Sequence, residues 1–248
     1  MRRVLVIPAA GAGTRLLSPV AKVLVPVNGR PMIDYLLELY APVVDGFVLV
    51  VHPAFAPDVR RQCAGAPRPI EFALQESPTG MLDAILIPAE RVRELAPESV
   101  WITWCDQIAI RGETVRALAE LSEREASAGA IFPTMRGPAP YIHFVRDEAG
   151  EIRQVLQRRE GDLMPDVGES DMGLFHLSFD AYTRLLPAYA SEAPHGTGTR
   201  ERNFLPFIPW LRGRARVVTF PGHDAMEAVG INTAEDLERV SAYLRHGR

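Results

Sequence analysis

Residues 4–32 read VLVIPAAGAGTRLLSPVAKVLVPVNGRPM, and no other stretch of the 248-residue sequence says as much about its architecture. The apolar run Val4–Ile7 is typical of a β-strand, and it leads into a loop of small residues. Small residues let backbone N–H groups approach a polyphosphate closely, and Thr14, Arg15 and Lys22 add a hydroxyl and two cations. The stretch therefore predicts a loop that binds a triphosphate. Its nucleotide-binding candidates are Ala9, Ala10, Gly11, Ala12, Gly13 and Thr14.

This loop differs from two familiar phosphate-binding motifs. A dinucleotide fingerprint has a third small residue three places after its second glycine, where this sequence has Leu16. A Walker loop carries Gly-Lys-Ser/Thr after four intervening residues, and the sequence contains no such run. A bare Gly-x-Gly turn is weak by itself, but here Arg15, Lys22 and the run Pro26–Met32 accompany it. Together they favour a functional loop over an ordinary tight turn.

Three motifs resemble those of the nucleotidyltransferase (NTP transferase) superfamily. They are AAGAGTRL at residues 9–16, KVLVPVNGRPM at residues 22–32 and EAVGINT at residues 227–233. The superfamily includes sugar-1-phosphate uridylyl- and thymidylyltransferases and bacterial phosphocholine cytidylyltransferases. The resemblance implies an α/β fold of the nucleotide-diphospho-sugar transferase type, with a single Rossmann-like, mixed but mostly parallel sheet flanked by helices. We predict one domain over residues 1–248, with the acceptor-binding part at roughly 135–225.

Strand-like and helical patterns alternate along the chain, as a parallel sheet flanked by helices requires. The predicted strands after the first are Phe47–Val51, Ile70–Leu74, Val100–Trp104, Ala130–Pro133, Tyr141–Arg146, Ile152–Leu156 and Leu174–Leu177. The predicted helices are one with Pro31 in its first turn, Met81–Glu94 with a break at Pro88, Glu113–Glu125, and a final helix capped by Thr233 and Asp236.

Composition and charge argue against several classes of protein. With 27 basic and 31 acidic residues the formal net charge is −4, which disfavours a general nucleic-acid or membrane-surface binder. Cys63 and Cys105 give neither metal-ligand spacing nor a disulfide framework, so a reducing compartment is expected. The opening Met1-Arg2-Arg3 is too short for a signal peptide, and no apolar run approaches membrane-spanning length. We predict a cytoplasmic protein without nucleic-acid or membrane partners.

The segment Gln75–Met81 follows a predicted strand and begins a predicted helix. The Gln75 amide offers both a donor and an acceptor, which suits the edge of a base. Gly80 lets the backbone approach a nucleotide, and in similar enzymes this Gln and this Gly contact a pyrimidine. We therefore predict Gln75 and Gly80 as nucleotide-binding residues, with a solvent-exposed turn as the alternative.

Asp106 comes shortly after the predicted strand Val100–Trp104. Ligands in open α/β sheets gather beyond the carboxyl ends of the strands, and a triphosphate requires Mg²⁺, which takes oxygen ligands. Asp106 resembles the metal-binding aspartate of the superfamily, and the E-x-x-G-[VI]-N pattern implies that Asn232 supplies the second ligand to Mg²⁺. Each residue has a structural alternative, since Asp106 could cap the next helix and Asn232 could simply precede the cap at Thr233. The same pattern leaves Glu227 open between a supporting and an exposed position.

Acceptor binding is predicted mainly from the resemblance to N-acetylglucosamine-1-phosphate uridylyltransferases. In those enzymes the matching positions carry Glu and then Glu-x-Asn-x-Gly, which bind sugar hydroxyls. This chain keeps Glu169 and Gly173, but it has Gln157 in place of a carboxylate and Asp171 in place of the amide. The resemblance therefore implies acceptor-binding roles for Gln157, Glu169 and Asp171, with a different acceptor.

The polar segment 197–203 suits a substrate lid, and it adds Arg200 and Asn203 as acceptor-binding candidates. The apolar run Phe204–Trp210 that follows is typical of a core or dimer contact, so a homodimer is a further expectation.

These parts define a reaction. An acceptor phosphate would attack the α-phosphorus of a nucleoside triphosphate (CTP, UTP or dTTP) and expel pyrophosphate. We assign catalytic roles to Arg15, Lys22 and Asp106, with Mg²⁺ held by Asp106 and Asn232. One alternative is a cytidylyltransferase with a non-sugar phosphate or phosphonate acceptor, and another is an inactive nucleotide-sugar-binding regulatory protein. A glycosyltransferase is disfavoured because no Asp-x-Asp motif follows a predicted strand.

Overall fold

The protein is described by a computed structural model over residues 1–11, 20–77 and 79–246. Its strands are β1 (Arg3–Pro8), β2 (Pro26–Val27), β3 (Arg30–Pro31), β4 (Gly46–Val51), β5 (Ile70–Leu74), β6 (Ser99–Thr103), β7 (Ala128–Pro138), β8 (Ile142–Arg146), β9 (Ile152–Gln157), β10 (Val167–Asp171), β11 (Leu174–Ser178) and β12 (Arg216–Pro221). Its α-helices are α1 (Met32–Tyr40), α2 (Ala56–Gln62), α3 (Met81–Leu86), α4 (Ala89–Leu95), α5 (Gly112–Arg124), α6 (Leu186–Glu192), α7 (Phe207–Trp210) and α8 (Ala234–Arg245).

Eight of these strands form one mixed sheet within the described part of the chain. Its order is β10-β7-β11-β6-β1-β4-β5, and β12 pairs with β7. The strands β6, β1, β4 and β5 are parallel to one another, whereas β11 is antiparallel to both β6 and β7. On the far side, β12 runs parallel to β7 and β10 runs antiparallel to it. The predicted fold class, an α/β fold with a mixed but mostly parallel sheet flanked by helices, is confirmed.

Packed side chains cover both faces of the sheet. Along β1, Leu5 and Ile7 lie in a core that includes residues of α1 and α5, whereas Val4 and Val6 lie in a core that includes residues of α3 and α4. Successive strand residues point to opposite faces, so a strand buried on both faces is apolar throughout. This explains why β1 and β4 appear in the sequence as continuous apolar runs.

The structure contains the predicted elements, with shifts at their ends. The predicted break at Pro88 separates α3 from α4. The capping box at the start of α8 is also present, with Thr233 Oγ1 accepting from the Asp236 backbone N–H at 3.2 Å. The prediction that Pro31 lies in the first turn of a helix is wrong by one residue. Pro31 ends β3 and is the N-cap of α1, because pairing with Pro26 keeps its ψ extended at 144°.

Several elements were not predicted. They are the short strands β2 and β3, the helices α2 and α7, the strands β10 and β12, and the helical segment 181–192, which begins with a π-helical turn and continues as α6. Both β10 and β12 join the sheet through β7, so strands from the two halves of the chain share one sheet. The single domain and its acceptor-binding part remain predictions. No helix in the described ranges is long and apolar enough to cross a membrane.

Candidate active site

The carboxyl ends of β1, β4, β5 and β6 meet at one edge of the sheet because these strands are parallel. Ala9–Gly11 follow β1 at this edge, Gln75 follows β5, and Asp106 follows β6 after two residues. This is the edge at which open α/β sheets bind their ligands. The predicted residues Ala9–Gly11, Gln75 and Asp106 therefore lie at the same edge of the sheet.

Lys22, Asp106 and Asn232 converge at this edge although they lie far apart in the sequence. The Lys22 ammonium donates to Asp106 Oδ2 at 2.5 Å and to Asn232 Oδ1 at 2.9 Å. The side chains of Lys22 and Asp106 are only 14% and 12% exposed, so water screens their ion pair weakly. The three residues predicted from separate motifs thus form one cluster, which we call the Lys22 cluster.

Backbone contacts hold the two oxygen-bearing members of the Lys22 cluster together. The Ile231 N–H donates to the Asp106 backbone oxygen at 3.2 Å. A Cβ at Gly230 would lie 3.3 Å from both carboxylate oxygens of Asp106, so this glycine allows the carboxylate to pack directly against the loop. The Asn232 side-chain NH₂ donates to the Gly230 carbonyl at 3.4 Å, which orients Asn232 Oδ1 toward Lys22.

Glu227 is a buried clamp beneath the same loop. Its side chain has no exposed surface, and its Oε2 accepts from the Arg111 N–H at 2.9 Å and from the Thr114 hydroxyl at 2.5 Å. Its Oε1 accepts from the backbone N–H groups of His223 and Asp224 at 3.1 and 3.0 Å. A buried carboxylate is tolerated when donors satisfy it in this way. Glu227 therefore ties the chain after β12 to the start of α5, and the exposed alternative is excluded.

The nucleotide-binding loop is only partly described. Ala9 is buried, and its N–H donates to the Val50 carbonyl at 2.7 Å, which fixes the start of the loop against β4. Ala10 is half-buried and Gly11 is exposed. The remaining predictions on this loop, Ala12, Gly13, Thr14 and Arg15, lie outside the described residues.

Gln75 lies at the predicted base-binding position. It is 6% exposed, its backbone N–H donates to the Val51 carbonyl at 3.0 Å, and its side-chain Nε2 is a buried donor with no partner among the described residues. A buried unsatisfied donor is costly, so an amide in this state favours a ligand-binding role over the exposed turn considered above.

Gly80 has a structural reason to be glycine. Its φ of +129° is accessible mainly to glycine, and a Cβ there would lie 2.5 Å from the backbone nitrogen of Arg202. The Arg202 N–H donates to the Thr79 carbonyl at 3.0 Å, and the Leu82 N–H donates to the Arg202 carbonyl at 3.1 Å. Gly80 thus allows the chain around Arg202 to pack against the start of α3, and its predicted contact with a nucleotide remains a prediction.

Asp171 and Glu169 lie on β10 in different electrostatic surroundings. Burial raises the pKa of Asp171 to about 6, and the nearby Asp106 carboxylate adds to this effect against the Gly173 N–H, which donates to Asp171 at 2.9 Å. Burial also raises the pKa of Glu169, but hydrogen bonds from Arg146 and Thr134 outweigh it and hold that pKa below its ordinary value. The surroundings of Asp171 therefore disfavour its charged form, whereas Glu169 is held in its charged form by Arg146.

Asn203 belongs to a separate network centred on Glu160, and Arg200 lies in the same segment of the chain. Oε1 of Glu160 accepts from the Asn203 side-chain NH₂ at 2.9 Å and from the Thr199 hydroxyl at 2.6 Å. Its Oε2 accepts from the Gly198 and Thr199 N–H groups at 2.8 and 3.2 Å. Burial raises the pKa of Glu160, but these bonds prevail and lower it to about 2.

Residues 196–203 are therefore held to Glu160 on one side. On the other side, the backbone of Arg202 packs against Gly80. Arg200 adopts a left-handed backbone with φ of +59° within this segment. Gln157, at the end of β9, is half-buried, and its N–H donates to Asp162 Oδ2 at 2.7 Å. Glu160 was not among the predicted site residues, because no motif links it to a segment some forty residues away.

Comparison with known proteins agrees with this architecture. Residues 5–168 match the model of the MobA-like NTP transferase domain family. That match covers well over half of the chain, and it includes most of β1 together with Lys22, Gln75 and Asp106 of the site described above. The chain belongs to this family of NTP transferase domains. The predicted membership of the nucleotidyltransferase class of enzymes is confirmed.

Curated relatives span the remainder of the chain as well. The proteins named Bifunctional protein GlmU from Maricaulis maris (strain MCS10) and from Koribacter versatilis (strain Ellin345) are 27% and 28% identical to it, and each match covers 96% of this chain and 51% and 50% of the relative. The protein of the same name from Anaeromyxobacter dehalogenans (strain 2CP-C) is 31% identical over 95% of this chain and 48% of the relative. The chain thus spans about half the length of the curated relatives it matches.

Proposed function

We propose that this protein transfers a pyrimidine nucleoside monophosphate from a nucleoside triphosphate to a phosphorylated acceptor such as a sugar 1-phosphate, and releases pyrophosphate. The observation that carries the proposal is the Lys22 cluster, in which one cation and two hard oxygen groups from three distant motifs meet at the ligand-binding edge of the sheet. The family match supports the class of reaction, and the resemblance of residues 227–233 to the motif of uridylyltransferases makes a sugar phosphate the first acceptor class to test.

The donor set of the cluster fits Mg²⁺. The carboxylate oxygen of Asp106 and the amide oxygen of Asn232 both lie within hydrogen-bond distance of one ammonium group, so they converge on a single position that a cation can take. Mg²⁺ prefers oxygen ligands and commonly needs only one or two from the protein, because water and phosphate complete its shell. When bound, it would neutralise charge on the triphosphate. We assign Asp106 and Asn232 as its protein ligands.

The other residues would position the reactants. Phosphoryl transfer of this kind depends on alignment and charge neutralisation more than on a side-chain nucleophile. Arg15 is assigned to the leaving β- and γ-phosphates, and Lys22 to the α-phosphate and the incoming acceptor phosphate. Gln75, whose buried Nε2 has no partner among the described residues, is assigned to the base.

Acceptor recognition is assigned to the β10 side of the site. Asp171 accepts from the Gly173 N–H at 2.9 Å, and the Gly173 carbonyl accepts at 2.9 Å from Trp104, two residues before Asp106. A group bound at Asp171 would therefore lie near the reacting phosphate. The other acceptor-binding candidates remain predictions: Gln157, Glu169, Arg200 and Asn203. Two of them already have protein partners, since Glu169 is paired with Arg146 and Asn203 donates to Glu160.

The decisive experiment is a matrix of CTP, UTP and dTTP against phosphorylated sugars, polyols, choline and phosphonates, read by pyrophosphate release with Mg²⁺ present or chelated. Turnover that depends on both substrates and on Mg²⁺ is expected for at least one pair. Binding of a nucleotide sugar without pyrophosphate release from any pair would instead identify an inactive binding protein.

Lys22→Ala tests the central assignment. The variant is expected to keep the fold and to lose about 10²–10³ in rate, as when a charge-stabilising donor is removed from a transition state. Arg184→Ala is the matched control, since Arg184 is an exposed cation paired with Asp180. Near-normal turnover by Lys22→Ala would contradict the assigned role.

A further inference from the structure

Lys22 is the single lysine of the chain, since 26 of its 27 basic residues are arginines. Its ammonium lies between Asp106 Oδ2 and Asn232 Oδ1, at 2.5 and 2.9 Å. These two oxygens are the ones that the proposed function assigns to Mg²⁺. An ammonium group and a divalent cation therefore compete for the same pair of oxygens.

We propose that, in the nucleotide-free protein, Lys22 acts as the resident cation of this site, so that a divalent metal ion binds there only together with a triphosphate. The anionic oxygens of a triphosphate offer the Lys22 ammonium new partners, and its departure frees the oxygens of Asp106 and Asn232. The inference rests on the proposed function for the identity of the nucleotide, but its test requires no turnover.

Charge makes the two states exclusive. An ammonium and a divalent ion that share the same oxygens would repel each other strongly, because Lys22 and Asp106 are mostly shielded from water. A triphosphate brings negative charge into the site and removes this conflict. It is therefore the natural third partner in the exchange.

The oxygens of the cluster are tied to the backbone, whereas the ammonium lies at the end of a long side chain. Asp106 is held through its backbone by Ile231 and packs against Gly230, and Asn232 is held by the Gly230 carbonyl. Lys22 reaches the site on a flexible four-carbon stem that can change rotamer without moving the backbone. Oxygens held through the backbone and a cation on a flexible side chain are what an exchange of cations requires.

Thermodynamic linkage then relates the affinity of the site for metal to its affinity for the triphosphate. If a triphosphate increases the affinity for metal by drawing Lys22 away, the metal must increase the affinity for the triphosphate by the same factor. Metal alone should bind poorly to the wild-type protein.

The first experiment measures binding of Mn²⁺ alone by electron paramagnetic resonance, without nucleotide, to the wild-type protein and to Lys22→Met. The variant is expected to bind Mn²⁺ at least about tenfold more tightly, since it lacks a charge-assisted hydrogen bond that must be broken in the wild type. Adding Asp106→Asn to Lys22→Met should abolish the gain. Arg184→Met, which removes an exposed cation paired with an aspartate, should leave the affinity unchanged.

Equal or weaker binding of Mn²⁺ by Lys22→Met would overturn the inference, as would a gain that survives Asp106→Asn. The second experiment needs no variant, so it stands even where Lys22→Met fails to fold. Protein grown with ¹³C-lysine gives one set of lysine side-chain signals, because Lys22 is the only lysine. These signals should shift when UTP or CTP is added in the presence of EDTA, and they should stay in place when Mg²⁺ is added alone.

A shift of the Lys22 signals with Mg²⁺ alone would overturn the inference independently. The two proposals fail in distinguishable ways. If Lys22→Met binds Mn²⁺ more tightly and UTP or CTP moves the Lys22 signals, but no substrate pair releases pyrophosphate, the exchange of cations stands and the proposed function does not. Lys22 signals that stay in place with both UTP and CTP would overturn the exchange itself.

Discussion

Asp171 shows how a single residue makes the stability of this protein depend on pH. Its pKa is raised from the ordinary value of 3.8 to about 6, first by burial and then by the charge of Asp106. Between these values the folded state holds a proton that the unfolded chain has released. The stabilising contribution is therefore complete below pH 3.8 and is lost as the pH rises through about 6.

We expect Asp171→Asn to remove this dependence. The free energy of unfolding of the wild type relative to the variant should fall by roughly 1 kcal/mol between pH 4 and pH 7, a value reduced from the full linkage because Asp171 is only half-buried. Urea denaturation of both proteins at several pH values measures the difference. A difference that does not change with pH, or that changes in the opposite sense, would show that Asp171 is not destabilised in its charged form.

The start of α3 packs against the backbone of Arg202, and Gly80 makes this close approach possible. We expect Gly80→Ala to lower the free energy of unfolding by about 2 kcal/mol or more, because its φ of +129° strains any other residue and its Cβ would meet the backbone of Arg202. Gly65→Ala is the matched control, because a Cβ there has open space and no strained φ is involved.

Thermal and urea unfolding of both variants provide the measurement. Equal stability of the Gly80 and Gly65 variants would mean that the chain around Arg202 moves away from α3 at little cost. In that case the glycine would have to be explained by its predicted contact with a nucleotide.

Elements were predictable where burial imposes a pattern on consecutive residues. The central strands β1 and β4 are apolar on both faces. The start of α8 could be predicted from the capping box formed by Thr233 and Asp236. By contrast, β10 has the sequence VGESD, which is mostly polar. The strand lies at the end of the sheet order, and its one hydrophobic residue, Val167, is exposed. Such a strand is specified by its pairing with β7, which is a long-range contact that no local pattern contains.

At the scale of the whole molecule, the three members of the Lys22 cluster could be selected from the sequence, but the interactions that hold their loops in place could not. Lys22, Asp106 and Asn232 could each be found because each lies in a compact motif. The clamp at Glu227 and the network at Glu160 could not, because each joins segments that are far apart in the sequence, and many of the groups that they bind are backbone N–H groups, which every residue but proline carries. The pairing of Glu169 with Arg146 was equally hidden.

Glu227 links parts of the molecule that are 116 residues apart, so its substitution should lower the stability of the whole fold. Glu227→Gln replaces one acceptor oxygen by an NH₂ group, which would face N–H or O–H donors and leave them unsatisfied. We expect the free energy of unfolding to fall by about 2–4 kcal/mol, as when a buried charged network loses a partner. Urea denaturation measures this loss against Glu235→Gln, an exposed glutamate of α8.

The same variant should also weaken the Lys22 cluster, because Glu227 anchors the loop that carries Gly230 and Asn232. At a temperature where Glu227→Gln is still fully folded, we expect the Mg²⁺ concentration for half-maximal pyrophosphate release to rise by about 10-fold or more, as when a group that supports metal ligands is removed. Glu235→Gln should leave that concentration unchanged. A Glu227 variant that lost stability but kept its metal requirement would show that the clamp supports the fold without positioning the site.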